Sequence, residues 1–357
     1  MLRRKADRRG LRLWPVGPVL ALAFALLVAG SVLYTAWHLL EVSDLKPEHR
    51  IDSGTLFELV KLAFGVVAGS GALVALVVAY RRQRVDEEAA LREATRLHTE
   101  RFTTAVSQLG DASAAVRLGG VHALAGLADD APTDLLRQTC IDVLCACLRL
   151  PYTAESDLPP DDTAARRDYL SSREVRHTII RLIRDRLATG REDTAASWQG
   201  YDLNCTEVVF DGGDFSGAVF SSGTADFRGA QFIGGTVNFC GAQFSGATVD
   251  FRGARFTEGI VDFTHAQFSG GRIDFARTLF SHSAVGFDRV RFSGGTVSFR
   301  SARFDGRVTF LGARFDGTVL VFHRARGHAP AGLQPAAGLR LPEGLRGMPA
   351  AWLPPAP

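Results

Sequence analysis

The chain lacks most of the features that announce a secreted module, an enzyme or a nucleic-acid binder. Its five cysteines, Cys140, Cys145, Cys147, Cys205 and Cys240, are too few and too irregularly placed to form a disulfide framework. Cys145-Ala-Cys147 has the spacing of a metal or redox pair. With Cys140, however, it sits in an apolar helical stretch, where cysteines pack as small hydrophobes. There is no phosphate-cradling loop, no dinucleotide fingerprint, no H-E-x-x-H and no nucleophile elbow. No catalytic, cofactor-binding or metal-ligating residue is therefore assigned, and the chain is read as non-enzymatic. A field of one sign is missing too: the net charge is only +3. From Cys205 to Arg326 eleven Asp and Glu face thirteen Arg and no Lys, a net of +2. Such a balance favours neither nucleic acid nor an enzyme that binds it.

What the chain does have is a ladder of phenylalanines from Phe210 to Phe322. The steps alternate between five and seven residues over most of its length, a repeat of about twelve built from two unequal halves. Two positions before most of them stands a small or β-branched residue: Ala230, Val237, Ala242, Val249, Ala254, Val261, Ala266, Ile273. Residues five, seven and twelve apart share no helical face, and glycine is too frequent for a helix. A fixed short period kept for more than a hundred residues predicts a solenoid, each unit burying one ring and its small partner.

The A-x-F centres in Ala242-Gln243-Phe244, Ala254-Arg255-Phe256 and Ala266-Gln267-Phe268 resemble the pentapeptide-repeat family, with Phe in place of the commoner Leu. The resemblance implies a right-handed, four-sided parallel β-helix with one five-residue unit per side. It implies no activity. The seven-residue steps depart from the pattern, as in Phe268-Ser-Gly-Gly-Arg-Ile-Asp-Phe275. A Gly-rich two-residue bulge at alternate corners accounts for them, giving about 24 residues per turn and between four and five turns. A narrower coil closing every twelve residues is the alternative.

Ahead of the ladder, Arg3, Arg4, Lys5, Arg8, Arg9 and Arg12 make residues 1–12 basic, and residues 13–40 then carry no charge. Trp14 and Trp37 would lie about 34 Å apart along a helix, close to the separation of two bilayer interfaces. A second apolar run, Leu62 to Tyr80, starts after Glu58 and Lys61 and ends at Arg81, Arg82 and Arg84, with Gly65 and Gly69 in small-residue spacing. Two transmembrane helices within 13–80 are expected, and both termini are placed in the cytoplasm by the flanking arginines. Residues 81–195 read as a helical region. Helices are expected from Val85 to Leu109, over Ala115–Leu127, from Thr133 to Leu150, and over about 164–188 after a Pro- and Asp-rich linker. The middle pair is similar to one HEAT-like hairpin. Arg101-Phe-Thr-Thr, Arg117 to Leu127 and Arg137 to Asp142 resemble actinobacterial membrane proteins that carry pentapeptide repeats.

The expected class is thus α+β: two membrane spans, a cytoplasmic helical region, a solenoid over 196–326 and a Pro-, Gly- and Ala-rich tail over 327–357, read as disordered. Leu339, Leu341 and Leu345 are the residues that would instead fold back over the last coil. Trp198, Tyr201 and the fourth helix are the candidates to cap the first. His265, His282 and His323 are expected to face solvent. Asp250, Asp262 and Asp274 recur with the repeat, as a cation row or, more simply, as a solvated ladder balanced by Arg252, Arg255, Arg272 and Arg277. The function expected is that of a scaffold, anchored in the membrane bilayer of the cell, that binds an unidentified protein partner and has the option of homo-oligomerising. The alternative comes from the family, some of whose soluble members mimic DNA and bind type II topoisomerases.

Overall fold

The structure, a computed structural model, describes residues 53–188, 190, 196–333 and 344–353, together with the isolated positions 30, 34 and 38. The chain divides into two compact units, Met1–Arg92 and Glu93–Pro357. Four helices precede the solenoid: α1 (Ser53–Leu109), α2 (Ala114–Asp129), α3 (Asp134–Arg149) and α4 (Thr163–Leu187). Their starts follow local chemistry. The Thr133 hydroxyl accepts from the Leu136 amide at the head of α3, and the Asp162 carboxylate accepts from the Ala164 and Ala165 amides at the head of α4. Gly120 lets α2 approach the last turns of α1, since a Cβ there would sit 2.9 Å from the Ala105 carbonyl.

The expected membrane hairpin does not stand. Among the described residues no helix is long and apolar enough to cross a membrane. The stretch expected as a second span is the N-terminal part of α1, which continues unbroken through Arg81, Arg82 and Arg84 to Leu109. The fold class is corrected to a helical region followed by a solenoid, and the multi-pass membrane localisation falls with the spans. The first expected span lies outside the described residues except at 30, 34 and 38, as do the basic stretch 1–12 and Leu339 and Leu341 of the tail.

The solenoid is built mostly from two kinds of short strand, with two eight-residue strands, Gln231–Asn238 and Arg255–Asp262, beside them, and the strands pair in parallel. One kind has three residues and ends just before a Phe, as in Thr248–Asp250. The other has two and ends on the Phe, as in Gln267–Phe268. Thr248 pairs with Arg272, and Arg272 with Thr296, so the middle coils close every 24 residues. About six coils are present rather than four to five, because strands outside the Phe ladder extend it at both ends. At one end Leu203 pairs with Ala225; at the other Leu320 pairs with Leu345.

The four middle coils, from Phe227 to Phe315, each contribute four rings to four columns. Phe227, Phe251, Phe275, Phe299 and Phe322 form one, with successive centroids 4.7–5.1 Å apart and planes within 7° of parallel. Neighbouring columns meet edge to face, as Phe251 meets Phe263 at 6.2 Å and 88°. The ring spacing is the strand spacing, so hydrogen bonding and stacking impose the same repeat. The small partners, from Ala230 to Ile273, are all buried, which leaves room for the rings. Most of the seven-residue steps hold their two extra residues at glycine corners, while the step from Phe280 to Phe287 has Ser281, His282 and Ser283 there. Gly271 has φ +71, and its backbone lies so close to the coil below that a Cβ would run into the Ala247 carbonyl.

Both ends are covered. Trp198 is buried and donates from Nε1 to Asp129 Oδ1 at 3.0 Å, while Ile180 of α4 packs onto Gly213 of the first coil. At the other end Leu345–Arg346 adds a strand. Trp352 then lies across Phe304 and Phe322 at 5.2 and 5.8 Å, with its Nε1 donating to the Gly327 carbonyl at 2.9 Å.

Candidate functional site: an arginine groove and a buried aspartate

The acids of the repeat are turn formers before anything else. Asp226, Asp250 and Asp274 stand in register on one face, and each accepts the backbone N–H two residues on, at 2.9–3.0 Å. Asp250 and Asp274 are buried, so the row is not the solvated ladder expected. Burial follows from the turn: the carboxylate folds back over its own backbone to satisfy the amide. Arg228 and Arg252 then close on Asp226 and Asp250 at 2.6 Å, and Arg272 on Asp274 at 2.8 Å. Asp262 lies on another face, where it serves Thr264 in the same way. His265, His282 and His323 are exposed.

Beside this row runs a groove of about 810 Å³ lined by Arg228, Arg252, Arg272, Arg277, Arg300 and Arg324, with Asp274 as its one acid. The acid row stops at Asp274, because the next two coils place Ser298 and Val321 in register with it. The arginines do not stop. The solenoid's small net charge therefore hides a polarity along its axis. Residues 205–275 hold eight Asp and Glu against four Arg, a net of −4. Residues 276–326 hold three acids against nine Arg, a net of +6. A count over the whole repeat cancels these halves, which is why composition alone conceals the groove.

A second constellation lies where α4 meets the first coil. Asp211 is buried and receives hydrogen bonds from Tyr152 at 2.6 Å, Tyr169 at 3.0 Å and Arg173 at 3.2 Å, with His177 Nε2 at 3.1 Å. Burial pushes the Asp211 carboxyl up, but the hydrogen bonds from His177, Tyr152 and Tyr169 together outweigh it and hold the group well below the usual carboxylate range. Burial and the neighbouring carboxylate push the Tyr169 hydroxyl up to about 12. Arg176 lies over the Tyr152 ring at 4.2 Å and donates to the Leu148 and Val209 carbonyls at 2.6 and 2.5 Å. Asp211 itself is buried, Arg173 and His177 are partly exposed at the edge, and the cluster fastens the helical region to the solenoid. The sequence signal was faint: an Asp-Gly-Gly at 211–213 that breaks the repeat.

The cysteines are placed as packing residues. Cys140 and Cys145 are buried in α3, and all five are free. Cys140 Sγ lies 3.8 Å from His98 Nε2, the pairing of a nucleophile with a base. Burial pushes this thiol up to about 11 and the imidazole down, which disfavours the thiolate–imidazolium pair such chemistry requires. The Cys145 thiol and burial push Cys205 well up as well.

This geometry has a counterpart among known families. The family model for pentapeptide repeats, described as nine copies, matches residues 206–249 and 275–326. The solenoid is a pentapeptide-repeat domain, in a Phe-centred form. The match lies within the solenoid, and the actinobacterial membrane type is not shown. Neither the comparison with curated proteins nor that with solved structures returned a match.

Proposed function

We propose that the protein is a non-enzymatic scaffold whose solenoid presents its outer faces to a protein partner. The observation that carries this reading is the aromatic core: four stacked columns fill the coil, so that among the described residues the solenoid has no interior cleft, and its usable surface is the set of long faces outside. Rigid in-register faces hold side chains at fixed spacing, which is what a recognition surface needs. Homo-oligomerisation belongs to the same reading: α1 exposes large apolar side chains at Phe57, Phe64, Val74 and Leu76, a surface that association would cover.

The DNA-mimic alternative needs an acidic surface, and the solenoid's C-terminal half is basic. Affinity capture on the full chain tests the proposal when repeated with charge-reversed variants of each solenoid face. Loss of the same protein with one face, and its retention with the others, supports a scaffold. Equal capture by every face variant overturns it. Inhibition of gyrase supercoiling by the purified protein at sub-micromolar concentration would restore the mimic reading.

A further inference from the structure

We infer that the groove beside Arg277, Arg300 and Arg324 binds an extended acidic peptide segment, an inference that rests on the scaffold reading and names the partner's chemistry. Three observations converge on it. The first is pairing. Arg228, Arg252 and Arg272 each engage a carboxylate of the Asp226–Asp250–Asp274 row. Arg277, Arg300 and Arg324 are exposed, and among the described residues no carboxylate lies within 4.0 Å of them. Three guanidinium forks thus remain available for carboxylates from elsewhere.

The second observation is the backbone at the corner. Arg277 and Arg324 hold φ +59, the left-handed region, at a corner that Gly229 and Gly253 occupy at +67 and +69 and Glu207 and Ser301 at +58 and +57 on other coils. Glycine occupies that conformation freely, whereas a side chain there costs stability. Non-glycine residues hold this corner on four coils, so the strain belongs to the corner, and what Arg277 and Arg324 add is a guanidinium carried on a backbone fixed there.

The third is spacing. The three arginines stand on consecutive coils, whose rings Phe275, Phe299 and Phe322 are 5.0 and 5.1 Å apart. From the first to the last is therefore about 10 Å, set by the strand spacing. An extended peptide carries same-side residues every ~6.6–6.8 Å, so two or three carboxylates on flexible stems span the row. Duplex nucleic acid fits less well, because the groove runs on into the acidic half of the solenoid, where the Asp226–Asp250–Asp274 row lies beside it.

The test is fluorescence anisotropy on the full chain with a short labelled peptide of alternating Asp and Ser. The comparison ligands are the same peptide with Asn for Asp and a single-stranded oligonucleotide of equal charge. Two variants are compared: Arg277→Gln with Arg300→Gln and Arg324→Gln, and a control with Arg291→Gln, Arg303→Gln and Arg314→Gln, which removes the same charge from other faces. Unchanged unfolding midpoints establish that both variants fold. The wild type is expected to bind the Asp peptide and not the Asn peptide, and to weaken as salt rises from about 0.05 M to about 0.15 M. The groove variant is expected to lose about tenfold in affinity, and the control variant less than about twofold. No binding by the wild type, equal weakening in the two variants, or tighter binding of the oligonucleotide overturns the inference. Its failure is separable from that of the scaffold reading: a partner captured through another face would leave the scaffold standing and this groove without a role.

Discussion

Phe251 and Phe275, 24 residues apart in sequence, lie with ring centroids 4.7 Å apart and planes 2° from parallel. Phe227 stacks on the other face of Phe251 at 4.8 Å. A ring in this position has no freedom to be replaced by anything smaller without leaving a void between two coils. Phe251→Ala is expected to cost about 3–5 kcal/mol in denaturant unfolding of the full chain. Phe315, only partly buried near the end of its column, should cost less. Arg255→Ala, on the exposed outside, should cost within about 0.5 kcal/mol. A loss at Arg255 equal to that at Phe251 would show that inside and outside are wrongly assigned.

Gly271 and Gly253 separate two reasons for glycine. Both hold a positive φ, +71 and +69. A Cβ at Gly253 meets nothing within 4 Å, while one at Gly271 strikes the Ala247 carbonyl. Gly253→Ala is expected to cost about 1–2 kcal/mol, the price of a left-handed residue. Gly271→Ala must also push two coils apart and is expected to cost more, read as a lower thermal midpoint. Similar midpoints for the two variants would mean that the corner accommodates a methyl group after all.

The Asp211 cluster makes a pH prediction. Its folded carboxyl is held below the unfolded value of about 3.9, so its contribution is fully present above that pH and is lost as pH falls towards the folded value. Asp211→Asn removes the charge that Tyr152, Tyr169 and Arg173 address. It is expected to cost about 1.5–3 kcal/mol at pH 7. The gap between variant and wild type should narrow as the pH is lowered below about 4, where the wild-type carboxyl begins to lose its advantage. Stability measured by denaturant titration across this range checks the sign, and a gap that widens in acid contradicts it.

Trp352 closes the C-terminal end over Phe304 and Phe322. Trp352→Ala should uncover those two rings and the Leu345–Arg346 strand, leaving the middle coils intact. Hydrogen exchange is the measurement: faster exchange is expected for the Phe322 amide, which donates to the Arg346 carbonyl, and unchanged exchange for the Phe251 amide. Uniform acceleration through all the coils would instead show that the cap is coupled to the whole solenoid.

The sequence by itself determined the solenoid. A ring every five or seven residues, with Ala or Val two places before, allows one inside and one outside, and the long period excludes helix and hairpin alike. It also located the helices after Arg84 closely, since Thr133, Pro151 and Gly110 punctuate them by local chemistry. The membrane hairpin was read from apolar runs and flanking arginines, and the structure does not support it: the later run lies inside a 57-residue helix that continues past those charges. Only the tertiary structure decided how the coils are occupied at their corners and ends. Whether an Asp is solvated or folded onto its own backbone depends on the turn it closes, and composition does not distinguish the two. The assembly of Tyr152, Tyr169, Arg173, His177 and Asp211 depends on α4 lying against the first coil, across more than thirty residues of sequence. The free arginines emerge for the same reason: a charge becomes unpaired only when its neighbours along the solenoid axis are known, and those neighbours are 24 residues away in the chain.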